Sequence, residues 1–286
     1  MDTDEIFIRF ERLQKARANW ESHWEEIAER VLTRSSEFIG EREPGDKRNS
    51  KLYDATAALA LERFSSAVES LLTPRGAKWH TLRATNPVID QDDDVRAWFQ
   101  QVEKTLFSYR YSPRANFASQ MHECYMSLGA FGTAALFVDE AVSRGMKYRA
   151  VHLSDIFIAE DENGSIDTVF RRCEMTARQA LRMFADGNLS TDLKKLANEK
   201  PDERVKFLHV VMPRIDRDPE RIDRKNLPFM SAYFEIKTKN LIEEGGFLQL
   251  PYIMSRYVTG PRETYGRSPA MTVLPEIKMI EELKEI

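Results

Sequence analysis

The apolar pattern of this chain changes period part-way along, and that change restricts the fold more than any single motif does. From the N-terminus, Ile6, Phe10, Leu13, Arg17, Trp20, Trp24, Ile27 and Val31 step alternately by four and three, which is the seam of an amphipathic helix. Arg17 is the one break, where Ala16 is expected to share the stripe. The outward face mixes Glu, Arg and Lys, as suits solvent or a charged partner. Asp54 reads as an N-cap with Ala55 opening a second helix. Ala57, Leu61, Phe64, Val68 and Leu71 form its seam, and Thr73-Pro74-Arg75-Gly76 stops it. A third helix starts at Asp92, Asp93 and Asp94, whose charge suits an N-terminus. Val95, Trp98, Phe99, Val102, Leu106 and Tyr109 are its apolar face. A fourth, after Ser112-Pro113, carries Phe117, Met121, Cys124, Tyr125 and Leu128, with Gly129 and Gly132 closing it.

Past Gly132 the texture becomes that of short strands. Residues 133–139, 147–153, 166–172, 205–212, 230–237 and 240–247 read as strands. Asn163-Gly164, between Ile158 and Ile166, signals a hairpin. Thr176 opens a short helix with Ala180, Leu181 and Phe184, and a polar helix follows near 191–198. From about Thr272, Leu274, Ile277, Ile280 and Leu283 mark a last helix that no Gly, Asn or Pro closes, so it reads as cut short. Helices first and strands later favour α+β over a βαβ sheet. The expectation is long N-terminal helices, then a mostly antiparallel sheet region, then a truncated helix. The divisions fall at 1–132, 133–258 and 259–286. No repeat or linker is visible, so one composite domain is expected.

With 42 Lys and Arg against 46 Asp and Glu, the net charge is -4, short of the basic excess of a general nucleic-acid binder. Cys124 and Cys173 lack CxxC or metal-ligand spacing and read as reduced thiols. The acidic opening MDTDEIFIRFERLQ is no signal peptide, and no run approaches the ~18 apolar residues of a membrane span. A soluble protein made in a cytoplasm, with no membrane partner, is expected.

No stretch of the sequence carries a complete chemical motif. GEREPGDK, from Gly40 to Lys47, nearly matches a phosphate loop, but Asp46 stands where Lys is required and no strand precedes it. Asp90, Asp92, Asp93 and Asp94 could face a hard cation, yet adjacent acids on one helix start diverge, so capping is favoured. Glu160, Asp161 and Glu162 sit beside a turn. His23, His80, His122, His152 and His209 form no HExxH pair. Arg214, Arg217, Arg221, Arg224 and Lys225 are interleaved with acids and read as a self-paired loop. No catalytic, cofactor or metal residue is assigned.

Five segments, in order, resemble the head-to-tail connector (portal) proteins of short-tailed bacteriophages. RLQKARANWESHWEEIAERVL, from Arg12 to Leu32, is similar to that family's first helix, with Trp20 and Trp24. YDATAALALERFSSAVESLLTPRGAKWHTL, from Tyr53 to Leu82, carries Asp54, Thr56, Pro74 and Trp79 at the family's positions, with Ala55, Arg75 and His80 departing from it. SPRANFASQMHECYMSLGAFGTAALFVDE, from Ser112 to Glu140, matches at Asn116, Phe117, Gly132 and Thr133. ENGSIDTVFRRCEMTARQ, from Glu162 to Gln179, holds Arg171. RYVTGPRETYGRSP, from Arg256 to Pro269, holds Arg256, Tyr257, Gly266, Arg267, Ser268 and Pro269.

The resemblance implies a non-enzymatic subunit of a dodecameric ring at one capsid vertex, in the virion and, during assembly, in the host cytoplasm. Its implied partners are copies of itself, terminase, capsid or scaffold proteins, tail adaptors, and double-stranded DNA passing through the channel. The motif residues then take packing roles: Asp54 caps a helix, Trp79 anchors the chain after Pro74, Gly132 permits the helix-to-strand turn, and Gly266 and Pro269 lead into the last helix. Family members continue well past Ile286, so this chain would be mainly the wing of an N-terminal portion. Leu274, Ile277 and Ile280 are accordingly expected to be partly uncovered. Two rival readings share the composition: a non-ring virion adaptor, such as a head-completion or scaffold-binding protein, and a metal-dependent nuclease using Asp92 to Asp94.

Overall fold

The computed structural model describes residues 2–33, 38, 52–140, 145–185, 187–218, 220–221 and 223–285. Four helices come first: α1 Thr3–Arg30, α2 Thr56–Leu72, α3 Asp93–Arg110 and α4 Phe117–Phe131. Then follow β1 Thr133–Glu140, β2 Met146–Val151, β3 Ile156–Glu160, β4 Ile166–Thr176, α5 Ala177–Met183, α6 Thr191–Glu199, β5 Arg204–Pro213, β6 Phe229–Glu235, β7 Asn240–Phe247, β8 Tyr252–Arg256 and α7 Pro269–Glu285. The strands form two antiparallel sheets, ordered β2-β1-β8 and β3-β4-β5-β6-β7. The α+β expectation holds. Strands β3 and β8 were not read as such from the sequence: five residues each, they are too short to display a period.

The alternation of side chains along β5 sorts the core. Leu208 and Val210 point to the face covered by Ile6, Phe7 and Phe10 of α1, together with Phe157, Phe170 and Phe234. Phe207 points the other way, into the layer made by Ala177, Ala180 and Phe184 of the α5 segment and Leu193 of α6. Val211, on that second side, joins the main core with Trp24, Ile27, Phe131, Ile156 and Tyr265. Thr176 and Gln179 form a reciprocal capping box that starts α5. The hairpin at Asn163-Gly164 is present, with Gly164 at φ 77.

Several expectations need correction. The second helix opens at Thr56, with Ala55 in the cap position; Asp54 still accepts the Thr56 N–H at 2.9 Å. Gly129 does not close α4. It lies inside that helix, where a side chain would collide with Leu61 and Phe64 of α2, so its role is close helix approach. Gly132 is the C-cap, left-handed at φ 74. Leu71 does not belong to a buried seam; it is 79% exposed. The last helix begins at Pro269 rather than near Thr272. Leu274 is buried at 5% exposure, against expectation, because the main core receives it; Ile277 is half-buried and Ile280 is 38% exposed, as expected.

Candidate functional site

The break in the first helical seam is the centre of the site. Arg17 is 1% exposed and Ala16, expected to share the stripe, faces solvent. The Arg17 guanidinium donates to the Leu153 carbonyl at 2.8 Å, to that of Ser154 at 2.8 Å and to that of Ile156. Its Nε donates to Glu21 at 2.9 Å. The same group lies 3.6 Å above the centroid of the Phe157 ring. A tight turn at Leu153–Asp155 aims carbonyls inward, and buried carbonyls need donors; one planar fork supplies several. Burial pulls the Arg17 pKa down, opposed by Tyr265 and Glu21.

One turn further along α1, Trp20 and Trp24 meet Tyr265, with ring centroids 6.0 and 5.1 Å away. Trp24 Nε1 donates to the Phe131 carbonyl at 3.2 Å, at the end of α4. Tyr265 accepts from Ile158 N at 3.4 Å, and burial raises its pKa. This aromatic stack seats residues 263–269 on α1.

Those residues then lock onto the turn between α4 and β1. Gly132 and Gly266 touch backbone to backbone: a Cβ on either would overlap the carbonyl of the other. Thr133 Oγ1 accepts from Gly266 N at 2.8 Å, and Ser268 Oγ donates to the Ala130 carbonyl at 2.7 Å and accepts from Met271 N at 3.0 Å. Tyr257 N donates to the Gly132 carbonyl at 2.9 Å. Arg256 binds the Glu160 carboxylate and the carbonyls of Thr264 at 3.2 Å and Gly164 at 3.0 Å, so it ties the hairpin to the same loop. Arg267 pairs with Glu263, which holds that carboxyl below its ordinary range, and lies 5.4 Å over Trp20. Pro269 opens α7, where a missing N–H is harmless.

Ten of the motif residues therefore converge: Trp20, Trp24, Gly132, Thr133, Arg256, Tyr257, Gly266, Arg267, Ser268 and Pro269. The others lie elsewhere. Trp79 stacks on Phe117 with centroids 6.0 Å apart and donates to Tyr111 Oη at 2.9 Å. Asn116, left-handed at φ 55, precedes Phe117 at the start of α4; Asn tolerates that region. Pro74 follows the C-cap Thr73 of α2. Asp54 and Thr56 open α2, and hydrogen bonds from Thr56 and Lys284 hold Asp54 at about 2. Arg171 lies on β4 beside His209 of β5. His209 is buried, exchanges hydrogen bonds with Tyr252 Oη at 2.7 Å and Ser231 Oγ at 2.9 Å, and stacks on Tyr233. Arg17 lies within the Arg12–Leu32 segment but was read only as a break in the seam, and His209 was weighed only for an HExxH pair, so sequence reading missed the buried role of both.

The suspected chemical clusters are spent locally. Asp92 accepts the N–H groups of Asp94 and Val95, Asp93 pairs with Arg96, and Asp90 accepts from Ala84 N at 3.0 Å. Among the described residues, no three His, Cys, Asp or Glu side chains stand together to hold a metal. Nor, among the described residues, is any helix long and apolar enough to cross a membrane. Burial pushes Cys124 up to about 12 and Cys173 up to about 11. The segment GEREPGDK lies outside the described residues.

A family model described as bacteriophage head to tail connecting protein matches residues 3–286. The chain is 28% identical over 280 residues to a probable portal protein of Bordetella phage BPP-1, covering 96% of this chain and 50% of that one. It is also 28% identical over 288 residues to a portal protein of Salmonella phage epsilon15, covering 98% of this chain and 51% of that one. The chain thus spans about half the length of these relatives.

Proposed function

The chain belongs to the bacteriophage head to tail connecting proteins, and from that premise we propose that it acts as a structural subunit of a portal ring, not as an enzyme. In this reading its residues form the N-terminal, wing-like portion of the subunit. The ring, of about a dozen copies by the family resemblance, sits at one capsid vertex and passes double-stranded DNA. Terminase, capsid or scaffold proteins and tail adaptors would dock on it, in the virion and earlier in the host cytoplasm. The observation that carries this reading is the family match across residues 3–286. The junction supports it: its polar groups are committed to neighbouring backbone, which suits a rigid joint that transmits load.

The test is native mass by light scattering at several concentrations, followed by electron microscopy of the heaviest species. A closed ring is the expected result for a subunit whose assembly contacts lie within these residues. A small oligomer of fixed size with no ring would favour a non-ring adaptor. Magnesium-dependent cleavage of plasmid DNA that Asp93→Ala abolishes would overturn the structural reading in favour of a nuclease.

A further inference from the structure

The two halves of α7 are held by different forces. Ala270, Met271 and Leu274 are buried in the main core. Pro275 comes next; it offers no N–H to the Met271 carbonyl and its ring crowds that oxygen, so the helix is weakest there. Among the described residues beyond Pro275 the one buried is Glu281, whereas Met279, Ile280 and Leu283 are exposed. Ile277 still touches the main core, and past it charge holds the distal half. Lys278 pairs with Glu26, Arg30 Nε with Glu281 at 3.0 Å, and Lys284 with Asp54 at 2.9 Å. Tyr53 Oη also donates to Glu285 at 2.9 Å. These contacts reach the end of α1 and the approach to α2. Between α7 and α2 runs an apolar groove of about 310 Å³, lined by Ala57, Ala60, Phe64, Gly129, Ile277 and Ile280 among others.

We propose that residues 276–285 form an arm hinged at Pro275 and latched by these ion pairs, so that ionic strength sets how firmly the arm lies beside the groove. The more exposed pairs, Lys278–Glu26 and Lys284–Asp54, weaken as salt shortens the reach of charge, to ~3 Å at 1 M, while the enclosed Arg30–Glu281 pair is screened less. The apolar contacts of the proximal half have no such dependence. The inference stands on contacts within one chain and does not need the ring reading.

Amide hydrogen exchange on the whole chain tests it, comparing residues 276–285 with 270–274. Raising salt from about 20 mM to about 0.5 M should speed exchange of the distal half roughly fivefold or more, and of the proximal half less than about twofold. Lys284→Gln should reproduce part of the increase at low salt, and Pro275→Ala should slow distal exchange by restoring the helix hydrogen bond. Distal exchange that ignores salt, or halves that respond together, would overturn the proposal.

Discussion

Helices α1 and α3 both carry an apolar stripe and meet opposite fates. α1, of 28 residues, buries Ile6, Phe7, Phe10, Trp24 and Ile27, and its one seam-breaking Arg is buried too. α3, of 18 residues, buries only Glu103, and its Trp98 is 60% exposed where Trp24 is fully covered. Glu103 is not idle: it accepts from Leu82 N at 2.5 Å and pairs with Lys78, which holds the extended segment before α3 against it. Trp79 and Arg110, 4.7 Å apart across a cation–π contact, hold the other end. An amphipathic stripe thus reports a capacity for burial, not its place. α1 uses that capacity within the chain; α3 keeps its ridge of Trp98 and Tyr109 free of cover in this chain.

The α1 seam depends most on its buried guanidinium. Arg17→Met should destabilise the body by about 3–5 kcal/mol, because the carbonyls of Leu153, Ser154 and Ile156 lose their buried donor. Urea unfolding measures it. A loss below about 1 kcal/mol would show that water replaces the guanidinium and that the body is looser than described. Glycines extend the contrast between regions. Gly132→Ala should cost about 2–4 kcal/mol, since it pays both for a left-handed backbone and for collision with Gly266. Gly76→Ala, after α2, has nothing within 4 Å and should change stability by less than about 0.5 kcal/mol. Equal effects at the two sites would remove the distinction.

Acid separates the regions as well. Burial, aided by Arg171, lowers His209 to about 3 from its ordinary 6.5. The folded chain therefore keeps this imidazole neutral while the unfolded chain takes up a proton below 6.5. The contribution is whole above that pH and is lost progressively as the pH falls toward 3, at about 1.4 kcal/mol per unit. His209→Gln should flatten that part of the pH–stability curve. His80, beside α3, is shifted the same way by burial and by Arg110, but it is far less enclosed, and His80→Gln should leave most of the slope. A parental slope surviving His209→Gln would assign the acid sensitivity to another group.

Much of this was legible in the sequence, for local reasons. The seam of α1, the Asp92 cap, the Asn163-Gly164 hairpin and the Thr176 helix start each depend on neighbours within a few residues, and each is where its pattern puts it. What was not legible is long-range. Gly132 and Gly266 were each assigned to a turn of their own, yet their shared constraint is contact across 134 positions. Arg17 looked like a flaw because periodicity ranks residues by polarity, whereas three carbonyls from a distant turn make a guanidinium the better core residue there. Leu274 was expected at an uncovered end, but Pro275 divides α7 one residue later and leaves Leu274 on the buried side.

The exposed α3 ridge should contribute little to stability. Trp98→Ser removes the largest side chain on the α3 ridge, yet at 60% exposure it surrenders little buried area. The unfolding free energy from urea titration should change by less than about 0.5 kcal/mol, against about 3–5 for truncating the enclosed Trp24 to Ala. Tryptophan emission gives an independent reading, because Trp24 is sealed and Trp20 and Trp79 are half-buried. Trp98→Ser should therefore remove the component most accessible to a soluble quencher and shift the remaining emission to the blue. If it instead destabilises the chain by more than about 1 kcal/mol, or leaves quenching unchanged, Trp98 is covered in solution. The α3 ridge would then have a partner, and the contrast with α1 would be one of where the cover comes from rather than whether it exists.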